Sequence, residues 1–155
     1  MRPASLFTGL LLTLATFLVA ANAAGLERLL AADQAPDGVV IEIVEGETAA
    51  LEWALPRVRE IATRLRARFP GLPIVVVSHG QEQFGLLKSE REPLAPIHAQ
   101  AKSLIDDDIG LHVCGAHAGW YGHTEADFAD FVDVSPSGPA QINDYVALGY
   151  TRIRL

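Results

Sequence analysis

The sequence predicts an α/β fold, a three-layer α/β/α sandwich around a mostly parallel five-stranded sheet. Two observations carry this reading. Runs rich in β-branched residues alternate along the chain with segments of helical periodicity, and one of those runs is apolar at nearly every position, as expected of a strand buried on both faces. A strand, a helix and a second strand in close succession form a parallel unit, because a parallel return needs a crossover.

The elements follow in order. Gly38–Val44 comes after the turn signal Pro36-Asp37-Gly38 and reads as the first strand, and Leu72–Ser78 follows Phe69-Pro70-Gly71 and reads as the second. Between them Val58, Ile61, Ala62 and Leu65 recur at helical spacing. Pro56 fits the first turn of that helix, which leaves 47–55 as a preceding turn or a kinked continuation. Arg57, Arg59, Arg64, Arg66 and Arg68 read as its solvated face. Leu94, Ile97, Ala101, Leu104 and Ile105 mark a helix over 93–107, and Ile109–Val113 is a short strand ending at Cys114. After a connection rich in glycine and aromatics come a strand at 131–134, a helix at 138–148 with Gly149 as its cap, and a terminal strand at 150–155. Asp106-Asp107-Asp108 reads as a solvated turn, and Trp120 and Tyr121 as cover for the core.

With 155 residues, half of them apolar and a fifth charged, the composition is that of one globular domain. The formal net charge of −7, from 12 basic and 19 acidic residues, makes nucleic acid an unsuitable partner. The opening stretch has one cation, Arg2, then an apolar run from Leu6 to about Val19, then the small-x-small sequence Ala21-Asn22-Ala23. This is the pattern of a cleaved secretory signal, shorter than the roughly 20 apolar residues that span a bilayer. The expected organisation is a signal peptide at 1–23 and an α/β domain at 24–155, located in the periplasm or secreted, with no stable membrane span after cleavage.

Cys114 is the only cysteine, so no disulfide can form within the chain. In open α/β sheets reactive groups gather outside the carboxyl ends of the strands, which is where Cys114 falls. Gly115, Ala116, Ala118 and Gly119 are small enough for backbone amides to approach its sulfur and favour the thiolate, the nucleophilic form. His117 is placed to pair with the sulfur if the turn curls back, or else to face solvent as a loop residue. His79, followed by a Gly80 that permits a positive φ, ends the second strand and shares the same sheet edge; it either orients a sulfur species or bonds to backbone or a neighbouring subunit. His112, Cys114, His117 and His123 are ligand types suited to copper or zinc, but a structural site wants four ligands and the chain holds one sulfur.

Three short segments, Val75-Val76-Val77-Ser78-His79-Gly80, Leu111-His112-Val113-Cys114-Gly115 and the tail 145–154, resemble the DsrE/DsrF-like family of sulfur-relay proteins, whose fold is YchN-like. The resemblance covers nearly all of the chain after residue 23. It implies that Cys114 carries a persulfide sulfur passed to a partner cysteine, with His79 as a neighbour, and that subunits assemble as a trimer or hexamer. The expected function is thus a periplasmic sulfurtransferase or sulfur carrier, with no cofactor, whose donor and acceptor are small molecules or protein thiols. The second expectation is a non-enzymatic oligomeric module of the same fold that binds a small ligand, copper or zinc, and the third is a structural or partner-binding subunit whose Cys114 is buried. The persulfide reading needs a sulfur atom reachable from outside.

Overall fold

The computed structural model describes residues 25–155. These fall into two units, residues 25–33, helical at 25–30, and residues 34–155, which carry the sheet. The expected signal peptide lies outside the described residues. Among the described residues no helix is long and apolar enough to cross a membrane.

The second unit runs β1 (Gly38–Ile43), α1 (Leu51–Arg68), β2 (Ile74–Ser78), α2 (Ala95–Asp106), β3 (Ile109–Cys114), α3 (Gly115–Trp120), β4 (Asp133–Ser135), α4 (Gly138–Ala147) and β5 (Tyr150–Arg154). The five strands form one all-parallel sheet in the order β4-β3-β2-β1-β5. The first three connections step toward one edge and the last returns across the sheet to the other. Right-handed crossovers therefore put α1 and α2, which pack on each other, on one face, and α4 on the opposite face. The predicted three-layer sandwich is the fold observed.

Alternation along the strands divides the core. Toward α1 and α2 point Val39, Ile41 and Ile43 of β1, Ile74 and Val76 of β2, and Ile109, Leu111 and Val113 of β3, all buried. The helical stripe that meets them is the one legible in the sequence, with Val58, Ile61, Leu65, Ile97, Ala101 and Leu104 buried. The α4 face is thinner and more polar. Val40, Val77 and Ile142 form its apolar cluster, flanked by Val75, Tyr145 and Tyr150, while Glu42, His112 and Cys114 alternate onto the same side. A single helix cannot cover this face with hydrocarbon, and ion pairs and hydrogen bonds complete it.

Three expectations change. Pro56 lies inside α1 rather than in its first turn; the carbonyl it leaves without a donor is that of Glu52, and both residues are exposed, so water serves it. The fourth strand begins at Asp133 rather than at residue 131, because the Val132 N–H is still closing a turn onto the Ala129 carbonyl at 3.0 Å. The arginine face of α1 is only partly solvated. Arg59 pairs with Asp107, and Arg66 donates to the carbonyls of Asp107 and Asp108 at 2.6 and 2.9 Å, which fastens α1 to the turn between α2 and β3. Asp108 has a positive φ of 56° there, a conformation that a short polar side chain tolerates. Gly149 has φ 90° after α4, as its reading as a cap requires.

His112 is half-buried between β3 and α4, with Nε2 2.9 Å from the Tyr145 hydroxyl. Burial pushes its pKa below the ordinary histidine value, and the carboxylate of Asp133 offsets this only in part. The native state thus prefers the neutral ring, whereas the unfolded chain takes up a proton near the ordinary value of about 6.5. This contribution to stability is full above that value and is lost as pH falls through the native pKa. Urea midpoints measured from about pH 7.5 down to about 5 should decline, and His112→Gln should decline less steeply.

Candidate functional site around Cys114

Cys114 ends β3 and is the N-cap of α3, so its sulfur accepts the backbone N–H of His117 at 3.4 Å. Parallel register places it between two neighbours on the same face. Ser135 of β4 is its direct partner, and His79, one residue beyond the Ser78–Val113 pair, stands opposite it on the β2 side. Above them sits the first residue of α4: a β-carbon added to Gly138 would lie 2.6 Å from Cβ of His79 and 3.2 Å from Cβ of Cys114. Only glycine lets α4 approach this closely. The three predicted site residues, Cys114, His117 and His79, do meet at one sheet edge.

Both imidazoles are held by hydrogen bonds. The buried Glu42 carboxylate accepts from Nε2 of His79 at 2.8 Å and from Nε of Arg152 at 2.8 Å, with Nη2 of Arg152 on the same oxygen as Nε. Burial alone would raise the Glu42 pKa, but the hydrogen bonds from His79 and Arg152 and the charges of Arg152 and Arg154 outweigh it and hold the carboxyl below its ordinary range. His117 Nδ1 lies 2.7 Å from the His79 carbonyl, which can only accept, so Nδ1 carries the proton and Nε2 is the basic nitrogen. Its ring packs against Phe84, Trp120 and Tyr121 at centroid distances of 5.5, 5.6 and 5.3 Å.

Sequence reasoning missed the residues that build this edge. Glu82 is fully buried in the 3₁₀ segment Gln81–Leu86, where its carboxylate accepts from Ser78 Oγ at 2.8 Å, Gly80 N–H at 2.9 Å and Glu45 N–H at 2.6 Å. It ties the end of β2 to the chain leaving β1. Gln83, the next residue, accepts the Cys114 N–H through Oε1 at 2.7 Å and so fixes the end of β3. Nothing in the sequence marks Glu82 or Gln83, since an acidic residue and an amide in a short loop normally face water. Gly80 could be read, but for the wrong reason. Its φ is −96°, and the glycine is needed because a β-carbon would press on the Glu82 carboxylate and lie 2.5 and 2.7 Å from the Glu45 carbonyl and nitrogen.

Cys114 is only 4% exposed, so the sulfur is not open to solvent in this chain, as the expectation of a buried thiol has it. One expectation is corrected in part: Trp120 does not cover the core, being 81% exposed because α3 is one turn and a half long and carries the ring outward, whereas the Tyr121 ring lies 5.1 Å from that of the buried Phe84. The histidines do not form a metal cluster either. His112 is turned to Tyr145, His117 to the His79 carbonyl and His123 to the Phe84 ring. Among the described residues no group of three or more His, Cys, Asp or Glu side chains could hold a metal ion.

An open, all-parallel sandwich with a cysteine at the carboxyl end of a central strand is the class that fold and site define. The DsrE/DsrF-like family matches residues 49–155, and the chain belongs to it. Among solved structures, MTH1491 from Methanobacterium thermoautotrophicum, described as a protein of unknown function, is similar with a TM-score of 0.62 and 21% identity over 76% of this chain and 97% of that one. That likeness is one of fold. No curated protein matches the chain.

Two substitutions test this architecture. Glu82→Ala leaves two amides and a hydroxyl buried without an acceptor and should cost about 3 kcal/mol in urea unfolding. Gly138→Ala should cost about 1–3 kcal/mol, because α4 must shift off His79 and Cys114. A stability equal to that of the unmodified protein in either case would contradict the packing described.

Proposed function

We propose that this chain is an exported sulfur carrier of the DsrE type, in which Cys114 accepts sulfane sulfur as a persulfide and passes it to a thiol. The observation that supports this most is the placement of the only cysteine at a strand end, with an amide directed at its sulfur and His79, oriented by Glu42, just past the end of the neighbouring strand. A nucleophile beside a base that a third group orients is the recurring arrangement of activated thiols. In the proposed arrangement Cys114 is the nucleophile, His79 takes or returns its proton, and His117, with Nε2 basic, is a second base at the same edge. Assembly as a trimer or hexamer, the leader at 1–23 and a periplasmic location belong to this reading.

The loading step is a displacement. The Cys114 thiolate attacks the outer sulfur of a donor such as thiosulfate; a new sulfur–sulfur bond forms on the cysteine, the donor's sulfur–sulfur bond breaks, and sulfite leaves with the bonding pair. Delivery repeats the exchange. An acceptor thiolate takes the terminal sulfur and Cys114 departs as a thiolate, so neither step needs an oxidant or a metal. The sulfur is covered by the first turn of α4, so this reading requires that turn to move aside for a donor to reach it.

Intact-mass spectrometry after incubation with thiosulfate or polysulfide should show the addition of one sulfur atom to the unmodified protein and none to Cys114→Ser. His79→Ala should load at least about tenfold more slowly, the lower end of what a positioned base contributes. Equal labelling of the protein and Cys114→Ser, or no labelling of either, would reject the persulfide reading.

A further inference from the structure

Helix α4 covers Cys114, yet it is not held evenly along its length. Among its ten residues only Gly138 and Ile142 are buried. Its second half is anchored: Ile142 packs with Val40 and Val77, the Tyr145 hydroxyl lies 2.9 Å from Nε2 of His112, and the Tyr145 ring lies 5.0 Å from that of Tyr150. On the other side, the chain that enters α4 is fixed at Pro136, whose carbonyl accepts the Ala116 N–H at 3.0 Å.

Between these two fixed points lie residues 137–141, and little fastens them. The Ser137 hydroxyl accepts the Ala140 N–H at 3.5 Å, a long and weak cap, and Pro139 has no N–H to give. Outside the helix's own ladder, one side-chain hydrogen bond leaves the segment among the described residues, from Ser135 Oγ to Gln141 Oε1 at 3.3 Å. Pro139 and Ala140 are exposed, and within the segment only Gly138 is buried, a residue with no side chain to expose. Lifting the segment therefore gives up little hydrophobic burial. Gly138 is nevertheless the residue that lies against the β-carbons of His79 and Cys114.

We propose that residues 137–141 form a flap that opens over Cys114 by local unfolding, hinged at Pro136 and Ile142, while the rest of α4 stays on the sheet. The free energy of a local opening is set by the contacts it breaks, and a segment with few of them opens far more often than the whole domain unfolds. Closed, the flap shuts the thiol and any sulfur it carries away from solvent. Open, it presents Cys114 and His79 together, because one glycine lies over both. The edge beneath stays in place, held by Glu82 and Gln83. The purpose assigned to the flap rests on the persulfide reading, whereas the opening itself does not.

The test is alkylation of Cys114 in the full chain by iodoacetamide, followed by intact mass at urea concentrations below the unfolding transition. The labelling rate should be independent of urea there, because the opening exposes little surface, and should exceed the rate that global unfolding allows by about tenfold or more. Gln141→Ala, which removes the bond to Ser135, should speed labelling by about two- to tenfold. Tyr145→Phe, which loosens the anchored half, should lower the urea midpoint and leave the labelling rate without urea unchanged. Four results would overturn the flap: a rate that rises with urea in step with the unfolded fraction, no labelling of the native chain, an unaltered rate in Gln141→Ala, or a rate in Tyr145→Phe raised in proportion to its lost stability. A chain that labels as expected yet takes up no sulfur from thiosulfate would reject the carrier reading and leave the flap in place.

Discussion

The sulfur edge of the sheet depends on one buried carboxylate. Glu82 sits out of water and accepts the backbone N–H groups of Gly80 and Glu45 and the Ser78 hydroxyl, from two separate stretches of chain. In parallel sheets the carboxyl ends of strands run out of ladder partners, and the loops that leave them carry amides that need acceptors. Glu82 supplies these for the ends of β1 and β2, and Gln83 beside it supplies one for β3. Two adjacent side chains thus gather three strand ends into one rigid edge, on which His79 and Cys114 come side by side. The geometry of the site follows from the satisfaction of backbone polarity.

The other face of the sheet obeys a different constraint. With only α4 to cover it, it is closed partly by charge, and the Glu42 carboxylate is the centre of that closure. Removing a carboxylate from water is costly unless its partners are good. Here the partners are a guanidinium from β5, Arg152, and the imidazole of His79. The same interaction that makes a buried charge tolerable orients the ring beside the sulfur, so structural and chemical roles are carried by the same atoms.

What could be read from the sequence was what periodicity and register express. The strands of β-branched residues, the helical stripe of Val58, Ile61 and Leu65 and the strand-end position of Cys114 and His79 depend on local pattern, and they are found where the pattern puts them. The residues that escaped notice act over long separations. Glu42 meets Arg152 from the opposite end of the chain, and Gln83 meets Cys114 across a helix and a strand. No local signal marks such pairings. Burial of the sulfur was illegible for the same reason, since it is α4, arriving after β4, that covers Cys114. Pro56 shows the opposite failure: a strong local rule yielded to a helix exposed enough at that turn for water to replace the missing bond.

The return of the chain across the sheet gives its last strand an influence out of proportion to its place. Strand β5 lies at the border farthest from β4 and touches neither the sulfur nor the residues on its immediate flanks. Yet it delivers the guanidinium that balances Glu42, and Glu42 steadies the imidazole two strands from that border. A lesion confined to the carboxyl terminus would therefore reach the thiol's neighbourhood as an electrostatic disturbance, leaving the surrounding shape in place while a distant anion lost its counter-ion.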